Sequence, residues 1–350
     1  MVVGNKMSSA KCAKSGVPQG SILGPLLFVL FINDLTDGIS PGTHISLYAD
    51  DTKIWRSIFT ESDNICLQKD IDYLYDWSLK NKMKFHPNKC KVLSVTGKIP
   101  ESLLSVLPFT HFTYALGEDS LDYVDSEKDL GVMVNSPLEW NEQCDKIYSK
   151  ANQKFGLLKR TCHFVLDKIR RRILYLTLVR SQFEHCSVIW RPLTKTKTNK
   201  LENLQKRAIK WILSEENISY SSVTTYIQKC RHLNILPLAV WFDFLDLIFF
   251  YKVTSGLVPV ELPPYIVPYS GNTRLRSSHL DYLCFVSTIT PRTSTNALAH
   301  SFFYRTHTKW NSIPLEIRQL VSLTEFKAKL TKFMWDSVLS DLNDIDEDGF

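Results

Sequence analysis

No stretch of this 350-residue sequence stays apolar for the ~20 residues a bilayer requires, so no membrane-spanning helix is expected. The opening "MVVGNKMSSAKCAKS" has no apolar core of the kind that directs secretion, which predicts an intracellular protein of cytoplasm or nucleus. The eight cysteines are spread almost evenly and include no C-x-x-C pair. That excludes a disulfide frame and predicts reduced, packed thiols. Cys162-His163 and His185-Cys186 lack the spacings of zinc ligands, so no zinc is expected. Internal repeats and low-complexity segments are absent too. What remains is a globular composition, 44% hydrophobic and 22% charged, with length for about two or three domains.

Charge is shared unevenly. The net charge is +6, yet residues 141–210 hold 17 Lys and Arg against 5 Asp and Glu, leaving the rest net negative. The tail "SDLNDIDEDGF" is acidic. Within the basic stretch, "KRTCHFVLDKIRRRILYLTLVRS" and "TKTKTNKLENLQKRAIKWIL" set cations beside aromatic and aliphatic residues at helical spacing. Phosphate backbones favour such a surface, because each neutralised phosphate releases counterions. Two solvated amphipathic helices would have the same composition.

Periodicity places the elements. Gly24-Pro25 predicts a helix start with Pro25 at the first helical position, running to about Leu35. Nothing from Pro25 to Ile32 is polar, so this helix is expected to be buried on every side. "HISLYADDTKIW" (44–55) has strand-type residues on both sides of Ala-Asp-Asp and reads as a hairpin with acids at its bend. Apolar positions 67, 71, 74, 75 and 79 predict a helix over 63–83. "KCKVLSVTG" and "KDLGVMVN" read as strands, 138–160 as a long helix, and "LPLAVWFDFLDLIFFYKV" as a buried one.

The chemistry centres on Asp50 and Asp51. Adjacent carboxylates at a tight bend gather oxygens, the ligands that hard divalent cations need. An isolated Asp-Asp turn is usually a solvated turn. Upstream lies the loop "GVPQG", where Gly16 and Gly20 lack a Cβ and let backbone approach a ligand, and Gln19 offers an amide.

Together these blocks resemble the reverse transcriptases of non-LTR retrotransposons, of the jockey kind. "SGVPQGSILGPLLFVLFINDL" is similar to their B block and "LYADDTKIW" to the metal-binding C block. "LQKDIDYLYDWSLKNKMKFHPNKCKVLSV" is similar to the D block, and "DLGVMVNSPLEW" to the primer-gripping E block. "RSQFEHCSVIW…LENLQKRAIKWIL" resembles the thumb, and "HSFFYRTHTKWNSIPLEIRQLVSLTEFKAKLTKF" the domain that closes these reading frames.

The resemblance implies an α+β fold. Residues 1–135 would form a partial right-hand polymerase palm, an antiparallel sheet with helices on one face. Residues 136–215 would form a basic helical thumb, and 216–350 a mixed, mainly helical C-terminal domain. It implies two Mg²⁺ or Mn²⁺ ions, with Asp50 and Asp51 as ligands, and an RNA template, a DNA primer and deoxynucleotides as partners. Gly16, Pro18, Gln19, Gly20, Tyr48 and Ala49 would border nucleotide and template, with Ala49 small where the primer must pass. Lys89 would meet departing pyrophosphate, although His86 replaces the usual Asn nearby. Leu130 and Gly131 would form the primer grip. The family's fingers and A block, with its further aspartate, have no counterpart before Gly16. An RNA-directed DNA polymerase by descent is therefore expected to be inactive as these 350 residues; the alternative is a non-catalytic nucleic-acid-binding remnant.

Overall fold

The computed structural model describes residues 2–4, 6, 7, 9, 16, 20–96, 112–164, 167–192, 194–214, 225–269, 283–289, 298 and 300–347. Two compact units divide the chain, residues 1–125 and 126–350.

The first unit opens with a short antiparallel ladder, β1 (Val2–Val3) and β2 (Lys6–Met7). Ser21 then starts the first helix: its Oγ accepts the Gly24 N–H at 2.9 Å. In α1 (Leu23–Ile32), Pro25 sits in the first turn, where a missing N–H removes no intrahelical bond. A 3-10 turn, Asn33–Thr36, follows and buries Leu35 completely. The expected all-round burial of α1 is not found. Only Gly24 and Ile32 are buried, while Leu23, Leu26, Val29 and Leu30 are 57–66% exposed. Phe28 and Ile32 reach the core, but no described element covers the opposite side.

β3 (Thr43–Tyr48) and β4 (Asp51–Arg56) form the predicted hairpin, in register from Thr43↔Arg56 to Tyr48↔Asp51. Side chains alternate between its faces. Ile45, Leu47 and Ile54 pack inward with Leu35, Leu74 and Trp77, and His44, Ser46, Tyr48, Asp51, Lys53 and Trp55 are exposed on the other face. In α2 (Glu61–Lys80) the predicted stripe buries Ile71 and Leu74, with Leu67 and Tyr75 half-buried. Leu79 is exposed; its core role passes to Trp77, whose Nε1 donates to Asp34 Oδ1 at 2.9 Å. A second cluster on α2, around Ile71, takes in Tyr114 and Leu116.

β5 (Lys91–Leu93) pairs in parallel with β8 (Asp122–Val124), and β6 (Ala115–Leu116) antiparallel with β7 (Asp119–Ser120). A single antiparallel palm sheet therefore does not appear among the described residues. The strands form separate two-stranded ladders. Parallel pairing needs a long crossover, which residues 94–121 supply, whereas the β3–β4 hairpin closes locally.

The second unit starts with another hairpin, β9 (Ser126–Asp129) and β10 (Val132–Asn135). "KDLGVMVN" is thus not one strand, because the chain reverses at Leu130–Gly131. Helices follow: α3 (Asn141–Thr161), α4 (Lys168–Leu174), α5 (Ser181–Glu184), α6 (Ser187–Trp190), α7 (Lys195–Ile212), α8 (Tyr226–His232) and α9 (Leu238–Thr254). A π-helical turn, Tyr175–Arg180, joins α4 to α5. The short ladder β11 (Ile266–Pro268) and β12 (Phe285–Ser287) precedes α10 (Phe302–Asn311), α11 (Leu315–Arg318) and α12 (Leu323–Glu347).

One core extends from Val132 to Trp335, so residues before and after 215 share it. At its centre α9 is apolar nearly all round and deeply buried, as its sequence predicts. Its buried Asp246 is held by Arg191 at 3.0 Å and by Arg305 at 2.9 Å, the pairing a buried charge requires.

Candidate active site

Four of the sequence-selected residues form one turn. Tyr48 and Asp51 are the last cross-strand pair of the β3–β4 hairpin, so Ala49 and Asp50 make a two-residue loop. Ala49 has φ +52°, and Asp50 is not in the left-handed region. A positive φ at the first loop residue alone is a glycine position in hairpins. An alanine held there costs about 1–2 kcal/mol. Strain of this kind persists only where the surroundings over-determine it. The surroundings here are the inner face of the hairpin, packed on α2.

Both carboxylates are exposed, and neither has a hydrogen-bond or ion-pair partner among the described residues. Asp51 shares the outward face with Tyr48, Lys53, and the stacked pair His44–Trp55, whose ring centroids are 5.4 Å apart. This is a bare acidic tip with an aromatic, polar flank.

The base of the hairpin is tied down, and the residues that do this were not singled out from sequence. Arg56 donates to the Pro41 carbonyl at 2.9 Å, to Thr43 Oγ1 at 3.1 Å and to Asp63 Oδ1 at 3.2 Å. Asp63 also accepts from Thr60 Oγ1 and from the N–H groups of Phe59 and Thr60, closing a capping box at the start of α2. The Thr60 hydroxyl, then the Phe59 N–H, hold its carboxyl below the usual 3.8, against a modest opposing effect of burial. Thr60 three residues before Asp63 was the available signal.

The other candidates lie apart from this turn in sequence. Gly16 (φ +87°) and Gly20 (φ +81°) both occupy the left-handed region, with open space where a Cβ would stand. Pro18 and Gln19 lie outside the described residues. Lys89 is exposed on a short 3-10 turn, Pro87–Lys89, whose amide returns to the His86 carbonyl at 2.9 Å. In the second unit, Leu130 (φ +44°) and Gly131 (φ +91°) form the two-residue loop of the β9–β10 hairpin. Positive φ at both positions matches a type I′ turn, with leucine where asparagine is favoured. His185 supports that loop, its Nε2 lying 3.4 Å from the Leu130 carbonyl oxygen.

Residues 2–124 match the family model of reverse transcriptase (RNA-dependent DNA polymerase). The chain is 32% identical over 99 residues to the RNA-directed DNA polymerase from mobile element jockey of Drosophila funebris. It is 26% identical over 235 residues to the probable RNA-directed DNA polymerase from transposon BS of Drosophila melanogaster. By descent residues 2–124 are a reverse-transcriptase segment, and the relatives matched are RNA-directed DNA polymerases of mobile elements. The matched regions are 26% and 60% of this chain but only 11% and 23% of those relatives. No solved structure matches it.

The reverse-transcriptase match contains the whole β3–β4 turn, so the acid pair falls inside the inherited polymerase segment. Among the described residues no group of three or more His, Cys, Asp or Glu side chains converges on a metal position. Asp50 and Asp51 fit a hard cation in donor type and in lacking competing partners, but as two ligands of the six or so required. None of the described helices is long and apolar enough to cross a membrane.

Proposed function

We propose that this chain carries part of the nucleotidyl-transfer site of an RNA-directed DNA polymerase, with Asp50 and Asp51 as ligands for Mg²⁺ or Mn²⁺. The observation behind this is the pair of unpartnered carboxylates on a strained turn, within the segment that matches reverse transcriptases. Such ions, when bound, activate the attacking hydroxyl and stabilise the leaving oxygens. The chain's own residues do the rest. The hairpin presents the two carboxylates outward, Ala49 leaves room beside them, and Tyr48 offers a ring on the same face as Asp51. Gly16 and Gly20, with Pro18 and Gln19 between them, line the incoming nucleotide and template. Lys89 meets the pyrophosphate, and the Leu130–Gly131 loop presses on the primer. In this reading residues 1–135 act as palm, 136–215 as thumb and 216–350 as the C-terminal domain, with RNA template, DNA primer and deoxynucleotides as ligands.

One ion can complete its shell with substrate phosphates and water, since Mg²⁺ commonly uses one or two carboxylates. A second ion would need carboxylates beyond these two. Residues 1–350 by themselves should therefore retain a deoxynucleotide in a divalent-dependent way without extending a primer. Equilibrium dialysis of a labelled deoxynucleoside triphosphate with Mn²⁺, beside primer extension on RNA, tests this for the wild-type chain and Asp50→Ala. Retention that disappears in the variant is expected. Retention unchanged in the variant would sink the reading, and Asp50-dependent extension would show that two carboxylates suffice.

A further inference from the structure

α3 and α7 face each other along matching stripes. On α3 these are Asn152, Phe155, Gly156 and Lys159; on α7 they are Arg207, Lys210 and Trp211, continued by Ser214 in the turn just past its end. Both follow i, i+3, i+4, i+7, the spacing of one helix face. Between them lies an open groove of about 580 Å³. Eight positions of helix make it about 10 Å long, room for two or three successive phosphates.

Charge along this helix pair is divided. Near the start of α7, Lys197 and Lys200 share the carboxylate of Asp145 on α3, at 2.5 and 2.7 Å. At the groove, Lys159, Arg207 and Lys210 are exposed, and no carboxylate pairs with any of them among the described residues. Among the described residues Arg207 has a neutral polar partner, Asn152 Oδ1 at 2.7 Å.

The floor is built and rigid. Buried Arg171 donates to the Trp211 carbonyl at 2.9 Å and to Ser214 Oγ at 2.8 Å, and its guanidinium lies 5.2 Å from the Trp211 ring. Phe155 meets Trp211 edge-on at 6.0 Å, leaving Trp211 half-buried in the groove wall. Gly156 keeps the middle open: a Cβ there would meet only the Arg160 guanidinium, at 3.5 Å. Glycine inside a helix costs about 1 kcal/mol relative to alanine, so helix stability does not account for it.

We propose that this groove binds a single strand of nucleic acid, its phosphates on Lys159, Arg207 and Lys210 and its bases against Trp211. Uncompensated cations select a polyanion, and the aromatic wall selects one with exposed base faces, which a duplex keeps stacked inside. The choice of nucleic acid among polyanions rests on the polymerase reading.

The test uses the full 350-residue chain and a labelled mixed-sequence RNA of about 12 nucleotides, followed by anisotropy between about 50 and 200 mM salt. Lys159→Gln/Lys210→Gln should weaken binding about tenfold at low salt and flatten the log–log salt slope by roughly 0.7 per lysine. Gly156→Leu changes no charge and should not lower the melting temperature, yet by filling the groove should weaken binding about tenfold. Lys327→Gln/Lys329→Gln, exposed on α12, is the charge-matched control and should bind like wild type. The proposal is overturned if the control loses as much affinity as the groove pair, or if Gly156→Leu binds normally. Loss of Asp50-dependent nucleotide retention would remove the polymerase reading, whereas loss of groove dependence would remove only this proposal.

Discussion

Arg56 and Asp63 close the open end of the acidic hairpin onto the first turn of α2, Nη2 to Oδ1 at 3.2 Å. The contact links the site-bearing strand to a helix cap, so it positions the turn through the length of β4. Arg56→Ala also strips donors from the Pro41 carbonyl and Thr43 Oγ1. It should destabilise the chain by about 1–2 kcal/mol, read from denaturant unfolding. The pH dependence has a defined sign. Asp63 is held below 3.8 in the folded chain, so its contribution is complete above that value and lost as pH falls through the lower folded one. Asp63→Asn should flatten that acid limb; an unchanged limb would show that other carboxylates dominate it.

Ala49 and Leu130 both hold positive φ at the first position of a two-residue hairpin loop. Glycine relieves this without a steric cost, so Ala49→Gly and Leu130→Gly should each stabilise by up to about 1 kcal/mol. Thermal melts check it. A drop in melting temperature for either would mean that the side chain supplies more than the strain removes.

Glu202 on α7 accepts the N–H groups of Leu238, at 2.9 Å, and Ala239, at 3.4 Å, and the hydroxyl of Tyr226. A carboxylate here caps α9 and suits its positive end. Burial, then the neighbouring Glu202, push the Tyr226 phenol far above its usual range, so it stays a donor. Glu202→Gln should cost about 2 kcal/mol in chemical denaturation, and Tyr226→Phe about 1 kcal/mol. Wild-type stability in Glu202→Gln would contradict the cap.

The exposed side of α1 makes the opposite prediction. Leu26 and Leu30 are 57% and 66% exposed, so Leu26→Lys/Leu30→Lys should leave the melting temperature unchanged. A contiguous apolar surface promotes association, so the same variant should reduce self-association in light scattering. A large loss of stability would place these residues in a core.

Much of this was legible in the sequence. Alternation around Ala49-Asp50-Asp51 located the hairpin, because one face packs on α2 and the other meets solvent. The stripe through Ile71 and Leu74 located α2 for the same reason. Burial of α1 was misread because an apolar sequence records what a helix requires as cover, not whether cover is present. The parallel β5–β8 pairing was hidden because strands of three residues carry no register signal. The facing stripes of α3 and α7 each follow from helical spacing, but their juxtaposition depends on long-range packing.

Metal-directed backbone cleavage tests the central claim, that the Ala49–Asp51 turn is a divalent-cation site, most directly. Fe²⁺ takes the place of Mg²⁺ among oxygen ligands, and with peroxide and ascorbate it releases hydroxyl radicals that cut the chain beside the bound ion. Cuts clustered around residues 48–52 are expected, suppressed by excess Mg²⁺ and lost in Asp50→Asn/Asp51→Asn while the fold persists. Cleavage absent from this turn, or undiminished in the double variant, would contradict the claim.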